Sequence, residues 1–194
     1  MRTPQGDPAP DDAELVGRVK TGDRAAYREL LRRHGPGIHR YAERLVRDPA
    51  EAEDVVQETF LRLWLRAKDY DPVARVTTWL FRITHNLAVD RLRKRGRSAF
   101  TEDPDMEPGP ISVNPPALLE GKQRAEALTA ALDTLPPRQA SALSLVHLHG
   151  MTGAEAAAVL EVSEEALESL LSRGRRALKA QLAGSFENDA RGTP

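Results

Sequence analysis

A short stretch of this sequence carries the side chains that proteins use to hold nucleic acid. Four polar residues recur at spacings that a helix would place along one side: Arg82, Asn86, Arg93 and Lys94. Arginine and lysine attract phosphates, and asparagine offers a donor and an acceptor to a base edge. The stretch ends in a cluster in which residues 91–97 hold five basic groups, Arg95 among them. The pattern indicates a polyanionic partner, with a plain solvated helix end as the alternative.

The segment before this strip adds an aromatic ring and two further cations. Tyr70 can stack on an unpaired base, and Lys68 or Arg75 can hold the backbone of a single strand. Taken alone, the segment is more typical of a plain loop between two helices.

A second candidate surface lies on the helix predicted from Asp48 to about Ala67. At about 100° per residue, one broad face carries six residues that we expect in the core: Val55, Val56, Thr59, Phe60, Leu63 and Trp64. The opposite face interleaves acids with leucines: Asp54, Glu58, Leu61 and Leu65. Exposed apolar side chains favour a docking surface for a partner protein. The alternative is a helix that its own domain buries on two sides.

The composition excludes several kinds of chemistry. The 194 residues contain no cysteine, which rules out disulfides, thiolate metal sites and cysteine nucleophiles. The histidines show no metal-ligand spacing with carboxylates, and there is no glycine-rich phosphate loop. We therefore expect no cofactor and no enzymatic activity. No apolar run reaches the roughly 18 residues of a membrane span and the N-terminus is polar, so we expect a cytoplasmic protein.

The chain divides into three parts by composition. Residues 11–97 show helical periodicity, residues 98–121 are acidic and rich in proline, and helical periodicity resumes over residues 122–183. The predicted fold class is all-α, with two small helical domains joined by a flexible linker. In the first domain, Gly35-Pro36-Gly37 predicts a break between two helices. Asp48 is predicted to cap the third helix, and Thr77 or Thr78 the fourth.

The second domain has the pattern of a helix-turn-helix. A helix is predicted from Pro136-Pro137 to about His149, ended by Gly150. Thr152 and Glu155 fit a capping box that starts a short helix. After a three-residue turn, Ser163 can cap a longer helix with a basic end, which is typical of a DNA-recognition helix. The residues predicted to point inward from these helices are Ala140, Leu143, Leu148, Leu167, Leu170, Leu171, Gly174 and Leu178.

These segments together closely resemble the extracytoplasmic-function branch of the bacterial RNA polymerase sigma factor family. Residues 48–64, DPAEAEDVVQETFLRLW, resemble the family's polymerase-docking helix. Residues 78–94, TWLFRITHNLAVDRLRK, resemble the helix that opens the promoter and reads its minus-ten element. LPPRQ at residues 135–139, with the following helix-turn-helix, is similar to the minus-thirty-five domain. The resemblance implies a sigma2-like bundle, a linker and a sigma4-like domain, which together direct polymerase to promoters.

The resemblance also implies a role for each surface. Core RNA polymerase would contact the chain through its flap and through its largest-subunit clamp helices, which would meet Asp54, Gln57, Glu58, Leu61 and Leu65. Minus-ten DNA would meet Lys68, Tyr70, Arg75, Arg82, Asn86, Arg93, Lys94 and Arg95. Minus-thirty-five DNA would meet Glu168, Ser169, Ser172, Arg173 and Arg176. The acidic linker would follow the polymerase's RNA path, and an anti-sigma factor is an expected further partner.

The recognition helix departs from the family pattern. The family usually opens this helix with a small residue or threonine followed by a basic residue, whereas this chain has Glu164, Glu165 and Glu168. Glutamates approach phosphates unfavourably, although one can accept a hydrogen bond from cytosine. Glu164 and Glu165 also suit the positive end of the helix dipole.

Two other interpretations stay open at this point. A sigma mimic would sequester an anti-sigma factor without binding promoters; the acidic recognition helix favours it, and the docking helix and basic cluster argue against it. A free-standing helix-turn-helix repressor would bind duplex DNA without polymerase, whereas a lone sigma factor offers few duplex contacts.

Overall fold

The computed structural model describes residues 10–96 and 130–189, with side chains placed as far as residue 180. The first unit comprises four helices: α1 (Asp12–Lys20), α2 (Arg24–Val46), α3 (Pro49–Arg66) and α4 (Val76–Lys94). A 3₁₀ turn, Ala67–Asp69, follows α3. The linker predicted at residues 98–121 lies outside the described residues.

The described part of the second unit includes helical residues 130–133. It continues with α5 (Pro137–Leu143), a π-helical turn (Ser144–Leu148), α6 (Gly153–Leu160) and α7 (Glu164–Asp189). No strand occurs within the described ranges, which confirms the all-α prediction. Among the helices of residues 10–96 and 130–189, none has the length and apolar character needed to cross a membrane.

Local capping chemistry fixes three of the helix starts. Asp48 accepts a hydrogen bond from the Glu51 amide at 3.1 Å, and Pro49 occupies the first turn of α3. Thr152 and Glu155 form a reciprocal capping box on α6. The Ser163 hydroxyl accepts from the Ala166 amide at 3.1 Å and starts α7. All three sequence predictions are confirmed.

The predicted break at Gly35-Pro36-Gly37 is wrong, because α2 runs without interruption through Pro36. Leu30 and Tyr41 are eleven residues apart, which places them about 20° from each other on a continuous helix. Both are fully buried, so the shared core keeps the helix intact. Gly35 has no Cβ to clash with the Cδ of the following proline ring, which lowers the steric cost of a proline inside the helix.

Two further predictions about helix ends need correction. Neither Thr77 nor Thr78 caps α4. The helix already begins at Val76, whose side chain is buried in the core, and Arg75 precedes it without a side-chain cap hydrogen bond. Leu148 does not point inward but is 42% exposed. The π-helical turn widens the helix at this point and changes the angular position of Leu148.

The core of the first unit uses the face of α3 that periodicity assigned to it. Val55, Thr59, Phe60 and Leu63 are at most 2% exposed. Val56 and Trp64 pack against this cluster from its edge. The Trp64 and Phe60 rings both meet Tyr27 of α2 edge-on, with centroids 5.4 and 6.4 Å away. The opposite face of α3 is left toward solvent.

The two units pack against each other. The surface of α4 lies against α6, and residues near the end of α2 contact the start of the second unit. The buried side chains of both units form one continuous apolar cluster. The described chain is therefore closed, with its helix-turn-helix held against the first bundle.

The second unit relies on a close approach between α5 and α7. A Cβ added to Gly174 would lie 2.7 Å from Leu143 Cδ1 and 3.4 Å from Gln139 Cβ. We expect Gly174→Val to lower the free energy of unfolding by about 1–3 kcal/mol, because it overpacks this contact. Gly17→Val is the control, since no atom lies within 4 Å of the Cβ it would add. Chemical denaturation measures both variants, and equal stabilities would contradict the close approach.

Candidate functional site

Two buried threonines join the helices that carry the candidate surfaces. Thr59 of α3 and Thr84 of α4 are fully buried, and their hydroxyl oxygens lie 3.2 Å apart. Each hydroxyl has a single proton and lies 2.8 Å from the carbonyl four residues earlier in its own helix, so at most one of the two protons is shared across the contact at a time. With Phe60, Leu63 and Leu80 beside them, they hold α3 and α4 in a fixed relation. The outer face of α3 and the polar strip of α4 therefore belong to one rigid body.

The outer face of α3 presents two leucines to solvent. Leu61 is 48% exposed and Leu65 is 67% exposed. Gln57 and Asp54 are exposed about one and two turns before Leu61 on the helix. Asp54 Oδ2 lies 3.2 Å from Arg91 Nη1, and Glu58 accepts a hydrogen bond from Arg62 at 2.8 Å. The structure thus brings together the five residues predicted for polymerase binding as an apolar stripe edged with carboxylates.

The polar strip of α4 is engaged by acids of the second unit. Asn86 Nδ2 donates to Glu161 Oε1 at 3.1 Å, and Arg82 Nε lies 3.6 Å from the same oxygen. Farther along, Arg93 Nη1 lies 3.7 Å from Asp90, and Lys94 is exposed. Arg82 and Asn86 therefore face the turn between α6 and α7, whereas Arg93 and Lys94 at the end of the strip face solvent.

A groove of about 180 Å³ lies between α3 and α4 beside this strip. Arg62 and Arg66 of α3 line it together with Trp79, Arg82, Ile83 and Asn86. Sequence reasoning missed the two α3 arginines as part of this surface. Their spacing of four residues was the available signal, but which neighbour α3 meets on that side depends on the tertiary packing.

The other residues predicted to bind minus-ten DNA differ in their exposure to solvent. Tyr70 is only 5% exposed, and its hydroxyl donates to the Ala74 carbonyl at 2.5 Å. Its ring packs near Trp79, with centroids 5.4 Å apart, so in this conformation it offers no free face to a base. Arg95 forms ion pairs with Asp48 and Glu51 and ties the end of α4 to the start of α3. Lys68 and Arg75 are exposed.

The predicted minus-thirty-five residues lie along α7. Glu168, Ser169, Ser172 and Arg176 are exposed and Arg173 is half-buried. Glu168 Oε2 lies 3.8 Å from Arg175 Nη2, so part of its charge is offset within the helix. Leu167, Leu170 and Leu171 bury the opposite side. The helix therefore has one packed face and one open face, as a groove-reading helix requires.

A buried histidine lies beneath the polar strip. His85 Nδ1 and the Tyr41 hydroxyl are 3.0 Å apart, and both residues are buried. Burial lowers the pKa of His85 to about 4, because the charged ring would lose its hydration. Burial likewise lowers the pKa of His149, which lies at the junction of the two units, to about 4. In the ranges 10–96 and 130–180, no three His or acidic side chains cluster as metal ligands would.

Comparisons with known proteins agree with this architecture. The chain matches the family model of Sigma-70 region 2 over residues 30–98 and that of Sigma-70, region 4 over residues 125–178. It is 33% identical over 173 residues to the ECF RNA polymerase sigma factor SigM of Mycobacterium tuberculosis, covering 89% of this chain and 85% of that protein. The chain belongs to the ECF family of RNA polymerase sigma factors.

Two further relatives bear on this sigma factor. The ECF RNA polymerase sigma factor SigE of Mycolicibacterium smegmatis is 38% identical over 169 residues, 84% of this chain. The chain spans 65% of the length of that relative. The solved structure of CnrH in complex with the cytosolic domain of CnrY superposes with a TM-score of 0.64 and 27% identity, covering 89% of this chain and 97% of CnrH.

The buried histidines give the sigma factor a predicted pH dependence. An unfolded histidine binds its proton near pH 6.5, whereas His85 in the folded chain binds it only near pH 4. Above about pH 6.5 this histidine therefore does not lower the free energy of unfolding. Between about pH 6.5 and 4 the free energy of unfolding falls as the pH drops, by about 1.4 kcal/mol per pH unit for one such group.

We expect His85→Gln to flatten this slope when the free energy of unfolding is measured between about pH 7.5 and 5. His39→Gln is the control, because the His39 side chain is 38% exposed. An unchanged slope in His85→Gln would show that the ring is not held uncharged.

Proposed function

We propose that this sigma factor binds core RNA polymerase and directs it to promoters, as an initiation factor without catalysis of its own. Polymerase docks on the outer face of α3, minus-ten DNA lies along α4, and α7 enters the minus-thirty-five groove. Residues 11–97 and 122–183 are the two working domains, and residues 98–121 link them. The protein acts in the cytoplasm, where its polymerase and DNA partners are.

One observation carries this proposal. The exposed leucines of α3 and the polar strip of α4 lie on a single bundle whose two helices share the buried Thr59–Thr84 contact. A protein bound on α3 is therefore held at a fixed angle to a nucleic acid bound on α4. Unstacking a base during promoter melting costs a few kcal/mol. Polymerase docking then positions the melted strand against side chains that can capture the unstacked base and so offset this cost.

A second proposed partner is an anti-sigma factor. The CnrH structure contains the cytosolic domain of CnrY. This chain superposes on CnrH over most of both proteins, so a similar inhibitor can fit the same arrangement of bundles.

The sigma-mimic and repressor interpretations predict different behaviour in a reconstituted assay. Purified chain added to core polymerase and promoter DNA should give transcripts with defined 5′ ends. A mimic would give none, and a repressor would bind promoter duplex at physiological salt without polymerase.

Removal of the apolar docking stripe tests the polymerase face. We expect Leu61→Asp combined with Leu65→Asp to weaken binding to core polymerase at least about tenfold, because truncation of a central apolar contact in an interface costs about 2 kcal/mol or more. Leu31→Asp is the control, since Leu31 is also part-exposed, at 38%, but lies on α2. Thermal unfolding verifies that both variants fold, and fluorescence anisotropy of labelled sigma factor measures binding. Undiminished affinity in the double variant would refute the docking face.

Two single substitutions separate base reading from phosphate attraction on α4. We expect Asn86→Ala to relax the preference for one minus-ten base, by about 1–3 kcal/mol of discrimination, because an amide reads a base edge. Lys94→Ala should instead weaken binding to all promoters alike and reduce the salt dependence of that binding. Competition transcription on a panel of minus-ten variants measures both. A uniform loss in Asn86→Ala would assign the residue to backbone contact.

A further inference from the structure

The closed arrangement places acidic side chains of α6 on the polar surface of α4. Thr78 Oγ1 donates to Glu155 Oε1 at 3.2 Å, and Arg75 Nη1 lies 3.6 Å from Glu155 Oε2. Glu161, at the end of α6, accepts from Asn86 and lies 3.6 Å from Arg82 Nε. Two carboxylates thus contact four polar side chains on one side of α4.

Three of these four side chains are residues assigned to minus-ten DNA: Arg75, Arg82 and Asn86. A carboxylate offers anionic oxygens to arginine in the same way that a phosphate does. The hydrogen bond from Asn86, followed by the charge of Arg82, holds the pKa of Glu161 below its ordinary value of 4.5. Glu161 is therefore an anion at neutral pH, and it occupies the surface that a nucleic acid would need.

Packing beyond these ion pairs also holds the closed arrangement. The His149 ring lies against Phe81 of α4, with centroids 4.4 Å apart, and against Tyr41 of α2, with centroids 6.2 Å apart. At the other end, Arg44 donates to Asp133 Oδ1 at 2.8 Å and to Ser144 Oγ at 2.9 Å. The Arg44 side chain is only 7% exposed, whereas Asp133 is 50% exposed, so the guanidinium is buried and its carboxylate partner stays open to solvent.

The closed arrangement leaves the polymerase face uncovered. Leu65 is 67% exposed, and Asp54 and Gln57 on the same face are also exposed. Docking on α3 therefore does not require the bundles to separate, whereas access of DNA to the middle of α4 does. In the closed form, the polymerase-docking face of α3 is accessible and the DNA-binding surface of α4 is covered.

We propose that Glu155 and Glu161 act as an internal competitor for minus-ten DNA, so that the closed sigma factor can dock on polymerase while its promoter-reading surface stays covered. This inference rests on the proposed function of α4. When the two units separate, α6 moves away from α4, and the DNA strand takes the place of the two carboxylates on the surface of α4. The apparent DNA affinity of the free chain is reduced by the small fraction of molecules that are open.

The free chain and single-stranded DNA provide the first test, without polymerase. We expect the double variant Glu155→Gln/Glu161→Gln to bind a fluorescein-labelled single-stranded oligodeoxynucleotide about fivefold or more tightly than the unmodified chain, because two partly exposed ion pairs are lost from the closed form. Glutamine keeps the size of both side chains and can still complete the α6 capping box.

The matched control is Glu14→Gln/Glu53→Gln, which removes the same charge from two exposed positions outside the residues assigned to DNA and to polymerase. Equal tightening in both double variants would reduce the effect to net charge and overturn the proposal, as would no tightening in either. Polymerase affinity, measured separately, should be the same for all three proteins. A failure of the docking face would change that second measurement only, so the two ideas fail separately.

The distance between the bundles gives an independent test. The chain has no cysteine, so Ala13→Cys and Ala158→Cys provide two specific sites for a donor and an acceptor dye on exposed positions. We expect energy transfer in the free chain to fall in the Glu155→Gln/Glu161→Gln background and to remain unchanged in the control background. Energy transfer of the same efficiency in the unmodified, double-variant and control chains would show that these acids do not hold the closed form.

Discussion

The buried contact between α3 and α4 is the constraint on which the rest of this sigma factor depends. Thr59 and Thr84 meet in a fully buried position, and each hydroxyl is also satisfied by a carbonyl of its own helix. Because each hydroxyl can keep the bond within its own helix, the resistance to sliding of the helices comes chiefly from the close packing of Phe60, Leu63 and Leu80 around the pair. In the proposed function, this rigid pair fixes the position of a nucleic acid on α4 relative to a protein docked on α3.

The same rigidity explains how a second unit can regulate the first. Because α4 does not bend, two carboxylates at the ends of α6 can meet Arg75, Thr78, Arg82 and Asn86 together. Each ion pair is partly exposed and individually weak, so the closed form is held firmly enough to compete with DNA but not irreversibly. A partner that separates the bundles needs to overcome several modest contacts.

The sequence predicted local and periodic features better than tertiary ones. Asp48, Thr152 and Ser163 were identified as caps because capping depends on residues three positions apart, and the core face of α3 followed from periodicity. The break at Pro36 was wrong because burial of Leu30 and Tyr41 on one face outweighs local propensity. The burial of Tyr70, the pairing of Arg95 with α3 and the closure of α6 on α4 all involve residues distant in sequence, which periodicity does not report.

Photo-crosslinking in a promoter complex tests the central claim most directly. A photoreactive amino acid at position 65 or at position 86 would be illuminated with core polymerase and promoter DNA present. The account predicts that position 65 crosslinks to a polymerase subunit and position 86 to the promoter strand, within the same complex. Crosslinking of position 65 to DNA, or of neither position to its assigned partner in an active complex, would contradict it.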